Sequence, residues 1–169
     1  MKKIIVLLCF LITITVTTTT STTVLALNIS NNSIIKYYDE DAGCLKIIVP
    51  QNYLSSNVMT NYSLSSNVSV VYEVFFDSPL LKLHNCQDNS WIVINAYSTY
   101  VGYGYITSGS PVTFAQVLLF GLGYVIDIDS YFGEQTRGAV VDYQSKHSLS
   151  VDGIVGPNTW LSMYYTAIS

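Results

Sequence analysis

The chain has 169 residues, half of them hydrophobic, and a formal net charge of −4. This length allows one or two small domains. Seven basic residues against 11 acidic ones argue against binding to nucleic acid or to anionic membranes, because both ligands require a basic protein face.

The N-terminus has the pattern of a secretory signal peptide. Lys2 and Lys3 precede an apolar run of 13 residues at 4–16, and a Ser/Thr-rich stretch leads to Val24 and Ala26. The run is shorter than the ~20 residues that span a bilayer, so a cleaved signal is favoured over a membrane anchor. We predict a signal peptide at 1–26 and a secreted remainder with five basic and 11 acidic residues, a net charge of −6.

The cysteines of the secreted part predict a disulfide. Cys9 leaves with the signal peptide, whereas Cys44 and Cys86 remain. An even number of cysteines in a secreted protein indicates a bridge, and the alternative is a pair of free buried thiols. We expect a Cys44–Cys86 disulfide that adds about 3–4 kcal/mol to the stability of a small domain.

Residues 27–107 are predicted to form a small β domain. The polar, Asn-rich stretch at 27–43 is expected to be a frayed lead-in. Short strands at the spacing that follows indicate a small barrel or sandwich. β-Branched and aromatic residues between turn signals predict these strands at 45–49, 68–76, 80–84, 91–97 and 100–106.

Residues 108–169 are predicted to form a three-helix domain. Ser110 as the N-cap and Pro111 at the first helical position begin the first helix, and Gly123 ends it. A second helix is expected from about Glu134 to about 147, and a third from Pro157. The predicted fold class is therefore α+β, with a small β domain, SH3-like or similar, before a three-helix bundle.

Two loops of the helical domain share the pattern D-x-x-[FV]-G-x-x-T, 23 residues apart. In each copy we expect the Asp to hold backbone N–H groups of the turn and the Phe or Val to enter the core. The Gly should allow a left-handed or closely approached backbone, and the Thr should bond back to the loop. The residues assigned to this structural motif are Asp129, Phe132, Gly133, Thr136, Asp152, Gly153, Val155, Gly156 and Thr159.

The order of these residues resembles the peptidoglycan-binding domain of the three-helix type. The likeness covers about 55 residues, from Val112 through both copies of the pattern to Trp160. The chain departs from the family's usual residues at Pro111, Ala115, Ser130 and Tyr143. The resemblance implies a non-catalytic module that holds a secreted protein on bacterial peptidoglycan.

Peptidoglycan presents sugar faces, amides and carboxylates, which aromatic side chains and a few hydrogen-bonding groups can bind. For Trp160 and Tyr143 we favour core packing over ligand contact, and Tyr131 is expected to be exposed. Each candidate glutamine could bond either the loop backbone or the ligand, and an arginine suits a carboxylate. The ligand-binding candidates are Gln116, Tyr124, Tyr131, Arg137, Tyr143, Gln144 and Trp160.

No convincing catalytic constellation accompanies this module. His84 and His147 lie in different predicted domains and lack the spacing of a zinc peptidase, so no metal or cofactor is predicted. Cys86 would share one strand face with His84, and Glu73 could pair with Asp77 as in a glycosidase. These pairs leave a small cell-wall hydrolase as the alternative function.

A binding role for the β domain fits better than catalysis. The segments 71–74, 81–83, 89–94 and 102–106 are loosely similar to the bacterial SH3-like wall-binding domain, and an unrelated small β domain is the alternative. The sequence therefore predicts a secreted, non-catalytic protein whose partner is bacterial peptidoglycan.

Overall fold

The computed structural model describes residues 35–55 and 69–169, and the predicted signal peptide at 1–26 lies outside them. Five strands form a sheet in which every neighbouring pair is antiparallel and the spatial order follows the chain. Within the described residues, no helix is long and apolar enough to cross a membrane. The strands are β1 (Ile35–Asp39), β2 (Cys44–Pro50), β3 (Ser69–Asp77), β4 (Leu80–Asn85) and β5 (Ser90–Asn95).

The alternation of side chains along the strands separates an apolar face from a polar one. On the polar face, four residues of neighbouring strands lie side by side. Lys46 on β2 is aligned with Glu73 on β3, Glu73 with His84 on β4, and His84 with Trp91 on β5. Hydrophobic burial against the helices fixes this register, because a slip of one residue would exchange the two faces. The buried face is formed by Leu45, Ile47, Val49, Val70, Tyr72, Val74, Leu81 and Leu83.

Three helices follow the sheet: α1 (Ser110–Gly121), α2 (Glu134–Lys146) and α3 (Pro157–Ile168). Helix α1 is buried along 112–121, because it contacts the sheet as well as both other helices. A Cβ on Gly121 would lie 2.7 Å from Ile47 Cδ1, so glycine is what allows α1 to approach β2 this closely.

The structure confirms the α+β class and the three predicted helices. Gly109 rather than Ser110 is the N-cap of α1, a difference of one residue. The frayed lead-in was wrong for residues 35–39, which pair with β2. The predicted strand at 100–106 is also wrong, since Val101 makes only isolated bridges and two glycines of this segment have positive φ.

The expected disulfide is wrong: both cysteines are free, with Cys44 buried and Cys86 exposed. Cys44 precedes the Leu45–Val74 pair by one residue, whereas the N–H of Cys86 donates to the carbonyl of Val71. Cys44 therefore lies beside residue 75 of β3 and Cys86 beside residue 71. These positions are four residues apart along the strand, about 13 Å at roughly 3.3 Å per residue. A disulfide tolerates a Cα separation of at most ~7 Å.

The sheet and the helices share one continuous hydrophobic core, and Ile34–Ser169 form one compact unit. A strand-to-helix contact closes this unit, because Lys36 Nζ on β1 donates to the carbonyl of Ala167 at the end of α3 (3.0 Å). A cation at this position offsets the negative end of the helix dipole. The predicted domain boundary at 107/108 stays a prediction.

Candidate functional site

A buried glutamine organises the first repeated loop. Gln116 on α1 donates from Nε2 to Asp129 Oδ1 (2.8 Å), to the carbonyl of Tyr131 (3.0 Å) and to Thr136 Oγ1 (3.1 Å). Its Oε1 accepts from the backbone N–H groups of Asp129 (3.2 Å) and Ser130 (3.0 Å). Asp129 Oδ1 also accepts from the N–H of Tyr131 (2.9 Å), which is the turn bond that the pattern predicted.

Gln144 on α2 repeats this arrangement in the second loop. Its Nε2 donates to Asp152 Oδ1 (2.9 Å), to the carbonyl of Ile154 (2.9 Å) and to Thr159 Oγ1 (3.2 Å), and its Oε1 accepts from the N–H of Gly153 (2.9 Å). The partners occupy matching positions of the two copies. The sequence left open whether each glutamine bonds the loop or a ligand. Both bond the loops, and a ligand contact for either stays a prediction.

The left-handed residue of each loop directly follows the Asp. Ser130 has a φ of +66° and Gly153 a φ of +73°, whereas Gly133 and Gly156, the N-caps of α2 and α3, have φ of −90° and −102°. We expected the motif glycine to be left-handed or to lie close to another part of the chain. Gly133 does neither, since a Cβ added to it would have no atom within 4 Å. Gly156 meets the second expectation, because a Cβ there would lie 2.9 Å from the ring of Tyr100.

The segment 99–109 runs along both repeated loops. The N–H of Val155 donates to the carbonyl of Val101 (2.8 Å), and the N–H of Phe132 donates to the carbonyl of Thr107 (2.8 Å). Val155 and Phe132 hold the same position in the two copies of the pattern, so the loops anchor the segment in an equivalent way. This anchoring holds the tyrosines of the segment beside the loops.

Two of these tyrosines line an open cleft of about 310 Å³. The rings of Tyr100 and Tyr105 stack with centroids 5.1 Å apart and planes 25° apart, and they are 38% and 56% exposed. The other lining residues belong to the second loop and the first turn of α3. They are Leu149, Ser150, Asp152, Ile154, Gly156, Pro157, Asn158 and Thr159.

The cleft combines apolar and polar binding groups. Exposed ring faces pack against the apolar faces of sugars, while the exposed side chains of Ser150 and Asn158 can hydrogen-bond to hydroxyls or amides. Helix α3 begins at Pro157, so the positive end of its dipole opens on the cleft and favours an anionic group. A sugar linked to a short peptide with a carboxylate matches this set of groups.

Two of the predicted ligand residues lie at the surface near the loops. Tyr131 is 58% exposed, as expected. Arg137 on α2 packs over Gly153, since a Cβ on that glycine would lie 3.2 Å from Arg137 Nε. Gly153 is flanked by the cleft residues Asp152 and Ile154, so the guanidinium stands beside the cleft, where it can pair with a carboxylate.

Three other predicted ligand residues have partners inside the protein. Trp160 is buried, and its Nε1 donates to the carbonyl of Thr99 (3.0 Å). Tyr143 is also buried, so core packing, the role favoured for both, is what the structure gives them. Tyr124 is half-buried and donates from its hydroxyl to Asp142 Oδ2 (2.8 Å). Burial, and secondly this hydrogen bond, raise the pKa of Tyr124.

Sequence reasoning missed Tyr100 and Tyr105, because it assigned 100–106 to a strand. A signal was available in the alternating glycines, since Gly102 and Gly104 adopt φ of +143° and +86°. Glycine in a strand interior is a sign of a close backbone approach, and a Cβ on Gly102 would lie 3.1 Å from the carbonyl oxygen of Gly153.

Comparison with known proteins assigns this architecture to a family. Residues 108–163 match the family described as "Putative peptidoglycan binding domain". The crystal structure of a peptidoglycan-binding protein from Clostridioides difficile in complex with glutamine hydroxamate is 32% identical, with a TM-score of 0.56 over 75% of this chain and 74% of that chain. This chain belongs to the peptidoglycan-binding domain family.

Two curated relatives share part of the chain. The N-acetylmuramoyl-L-alanine amidase CwlM of Mycobacterium tuberculosis is 36% identical over 73 residues, which are 43% of this chain and 18% of the amidase. An uncharacterized protein in the bpoA1 3′ region of Kitasatospora aureofaciens is 43% identical over 60 residues, 34% of this chain and 51% of that protein. The chain therefore spans about half or less of these curated relatives.

The family match places the cleft at the edge of the peptidoglycan-binding domain. The second loop and α3 lie within residues 108–163, but Tyr100 and Tyr105 precede them. The aromatic wall of the cleft is therefore contributed by the segment that joins the sheet to the family domain.

A second cluster of reactive side chains lies on the polar face of the sheet. His84 Nδ1 is 3.0 Å from Glu73 Oε2 and 3.9 Å from Cys86 Sγ. Burial opposes the charge on the ring, yet hydrogen bonds to Glu73 and Asn89 raise the pKa of His84. Although Cys86 is exposed as a residue, partial burial of its thiol, followed by the charge of Glu73, raises the pKa of Cys86 to about 11.

This geometry disfavours the hydrolase alternative. A thiol with a raised pKa is protonated at neutral pH and is a weak nucleophile, and Cys86 and Glu73 approach the same nitrogen of His84 rather than opposite ones. The carboxylate pair is also disfavoured, because the Cα atoms of Glu73 and Asp77 are four residues of β3 apart, about 13 Å, and each carboxylate is paired with its own lysine, Lys46 (3.4 Å) or Lys82 (2.9 Å). The two carboxylates of a glycosidase are at most roughly 9.5 Å apart.

Proposed function

We propose that this chain binds bacterial peptidoglycan without cleaving it, through the cleft between Tyr100, Tyr105, the second loop and α3. The observation that carries the proposal is a stacked, exposed tyrosine pair beside the family domain. The family match at 108–163 and the similarity to the Clostridioides difficile peptidoglycan-binding protein support this choice of ligand.

In this proposal the sugar and the peptide of one repeat unit contact different parts of the cleft. A sugar ring packs against Tyr105, the more exposed ring, and each aromatic contact contributes about 0.5–1.5 kcal/mol beyond its buried area. A peptide carboxylate lies toward the first turn of α3 and Arg137, where the helix dipole and the guanidinium both favour negative charge.

Co-sedimentation with purified, protein-free peptidoglycan sacculi tests the proposal. We expect the full chain to sediment, muropeptides to compete, and Tyr105→Ala to weaken binding about tenfold, the equivalent of about 1.4 kcal/mol. Tyr105 is the residue of choice because Tyr100 also packs against Gly156. Tyr97→Ala is the matched control, since Tyr97 is 50% exposed and lies outside the cleft lining.

Failure of the wild-type chain to sediment would contradict the binding function itself. Sedimentation that Tyr105→Ala leaves unchanged would retain the function and reject the cleft as its site. Release of sugar or peptide fragments from the sacculi, abolished by Cys86→Ser or Glu73→Gln, would instead establish the hydrolase.

We further propose that the chain is exported by the segment at 1–26 and acts in or outside the cell wall. The charged start, the short apolar run and Ala26 support export, and a peptidoglycan ligand is located there. Mass spectrometry of protein from the culture medium should find a chain that begins near Leu27, whereas an intact Met1 would reject cleavage. The SH3-like likeness of 27–107 stays a prediction.

A further inference from the structure

Three different donor atoms converge on the polar face of the sheet. A carboxylate oxygen of Glu73, Nδ1 of His84 and Sγ of Cys86 all lie within 4.8 Å of one another. Two of the three separations are 3.0 Å, from Nδ1 to Glu73 Oε2, and 3.9 Å, from Nδ1 to Sγ. In a tetrahedral zinc site with bonds of about 2.0–2.3 Å, neighbouring donors are about 3.3–3.6 Å apart. Shifts of a few tenths of an ångström would bring these two distances to that spacing, while the third separation, from Glu73 to Sγ and at most 4.8 Å, would have to shorten by up to roughly 1 Å.

The second nitrogen of His84 is held in the way that metal-binding histidines usually are. Nε2 lies 2.9 Å from Asn89 Oδ1 and can donate its N–H there, so an ion that displaces the proton shared by Nδ1 and Glu73 Oε2 meets the Nδ1 lone pair on the side of the other two donors. Metal-binding histidines usually donate their other ring N–H to an oxygen in this manner. Trp91 stacks on the ring with centroids 4.4 Å apart, which fixes the ring plane.

Access and charge are compatible with an ion at this position. Cys86 is exposed, so the cluster opens to solvent. Lys46 Nζ approaches Glu73 through Oε1 (3.4 Å), which leaves Oε2 directed at His84. The set of one oxygen, one nitrogen and one sulfur suits a borderline-soft cation such as Zn²⁺ better than Mg²⁺ or Ca²⁺.

We propose that Glu73, His84 and Cys86 form a three-ligand site for a zinc-class divalent cation, with a fourth position open to water or to a ligand. Binding forms a metal–sulfur and a metal–nitrogen bond, and both the thiol proton and the proton held between Nδ1 and Glu73 are released to solvent. The site is independent of the proposed peptidoglycan function, because none of its residues lines the tyrosine cleft.

Titration of the full chain with Co²⁺ and Zn²⁺ tests the site. We expect one Co²⁺ per chain, with a sulfur-to-cobalt charge-transfer band in the near ultraviolet, and displacement of the cobalt by Zn²⁺. Cys86→Ser should abolish the band, and His84→Gln should weaken Zn²⁺ binding by at least about tenfold. Cys44→Ser is the matched control, because Cys44 is the second free thiol and is buried.

Asn89→Gly separates positioning from folding. Asn89 has a φ of +58°, which glycine adopts readily, so the turn is preserved while the oxygen partner of Nε2 is removed. We expect Zn²⁺ binding to weaken about 10-fold or more with an unchanged circular dichroism spectrum. Absence of a charge-transfer band in the folded wild-type chain, or a band that persists in Cys86→Ser, would overturn the proposal.

Discussion

Replacement of Gln144 by methionine should destabilise the helical region strongly, although Gln144 is buried and has no assigned catalytic role. Methionine has a similar length and is also a good helix former, so the change removes hydrogen bonds rather than volume. The change removes the two N–H groups of Nε2, which are shared among three acceptors, and the bond accepted by Oε1.

The loss is smaller than four complete hydrogen bonds because some partners can recover water. The Asp152 carboxylate is exposed and is rehydrated, and Thr159 Oγ1 retains a contact with the carbonyl of Ile154 (3.4 Å). The buried N–H of Gly153 has no replacement, and such a group costs about 1–3 kcal/mol. Adding a net loss for the remaining bonds gives about 2–4 kcal/mol, out of the 5–15 kcal/mol typical of a whole domain.

Urea unfolding followed by tryptophan fluorescence measures this change, because Trp160 is fully buried. We expect a lower midpoint at an unchanged slope, and Gln116→Met should lose a similar amount. The control is Gln135→Met, since Gln135 is exposed and accepts one bond, from the N–H of Asp127. A loss below about 1 kcal/mol for Gln144→Met, or one equal to the control, would refute the structural role of the glutamine.

Three further predictions concern two glycines that leave no room for a Cβ atom and the ionisation of the Cys86 thiol. Gly153→Ala should cost about 1–3 kcal/mol by urea unfolding, because φ is +73° and the new Cβ would lie 3.2 Å from a neighbouring side-chain nitrogen; a neutral result would contradict the left-handed loop. Gly121→Ala should also cost about 1–3 kcal/mol, despite the better helix propensity of alanine, because its Cβ would lie 2.7 Å from a β2 side chain; stabilisation would show that the helix can move away. Cys86, with its pKa raised to about 11 by burial and then by Glu73, should have on the order of one thiol in a thousand ionised at pH 8 and react slowly with iodoacetamide. Glu73→Gln should speed this reaction, and an unchanged rate would contradict the charge effect.

The helical region at 108–169 could be predicted in detail because its signals are local. Pro157 and Gly123 mark helix ends, and the repeated pattern places the same donors and acceptors twice. The glutamines that complete each loop were found by the resemblance, but their bonding could not be chosen from the sequence. Choosing it required the distances between α1 or α2 and the loops, which only the packed structure supplies.

The remaining errors concern long-range pairing. Residues 35–39 were grouped with the Asn-rich stretch before them, although Ile35, Tyr37 and Tyr38 favour strands; they pair along the edge of β2, and Lys36 contacts the end of α3. The disulfide was inferred from the number of cysteines, whereas the register of β2 and β4 on β3 separates Cys44 from Cys86. Alternation of tyrosine and glycine at 100–106 imitated a strand because tyrosine is common in sheets, and the positive φ values follow from contacts with the second loop.

The tyrosine cleft is the proposed site of peptidoglycan contact. Chemical-shift mapping of the isotopically labelled chain with soluble muropeptides tests it most directly. We expect shifts concentrated at Tyr100, Tyr105 and residues 149–159, reduced in Tyr105→Ala and retained in Tyr97→Ala. Shifts confined to the polar face of the sheet, or no shifts at muropeptide concentrations that compete with sacculi, would contradict it.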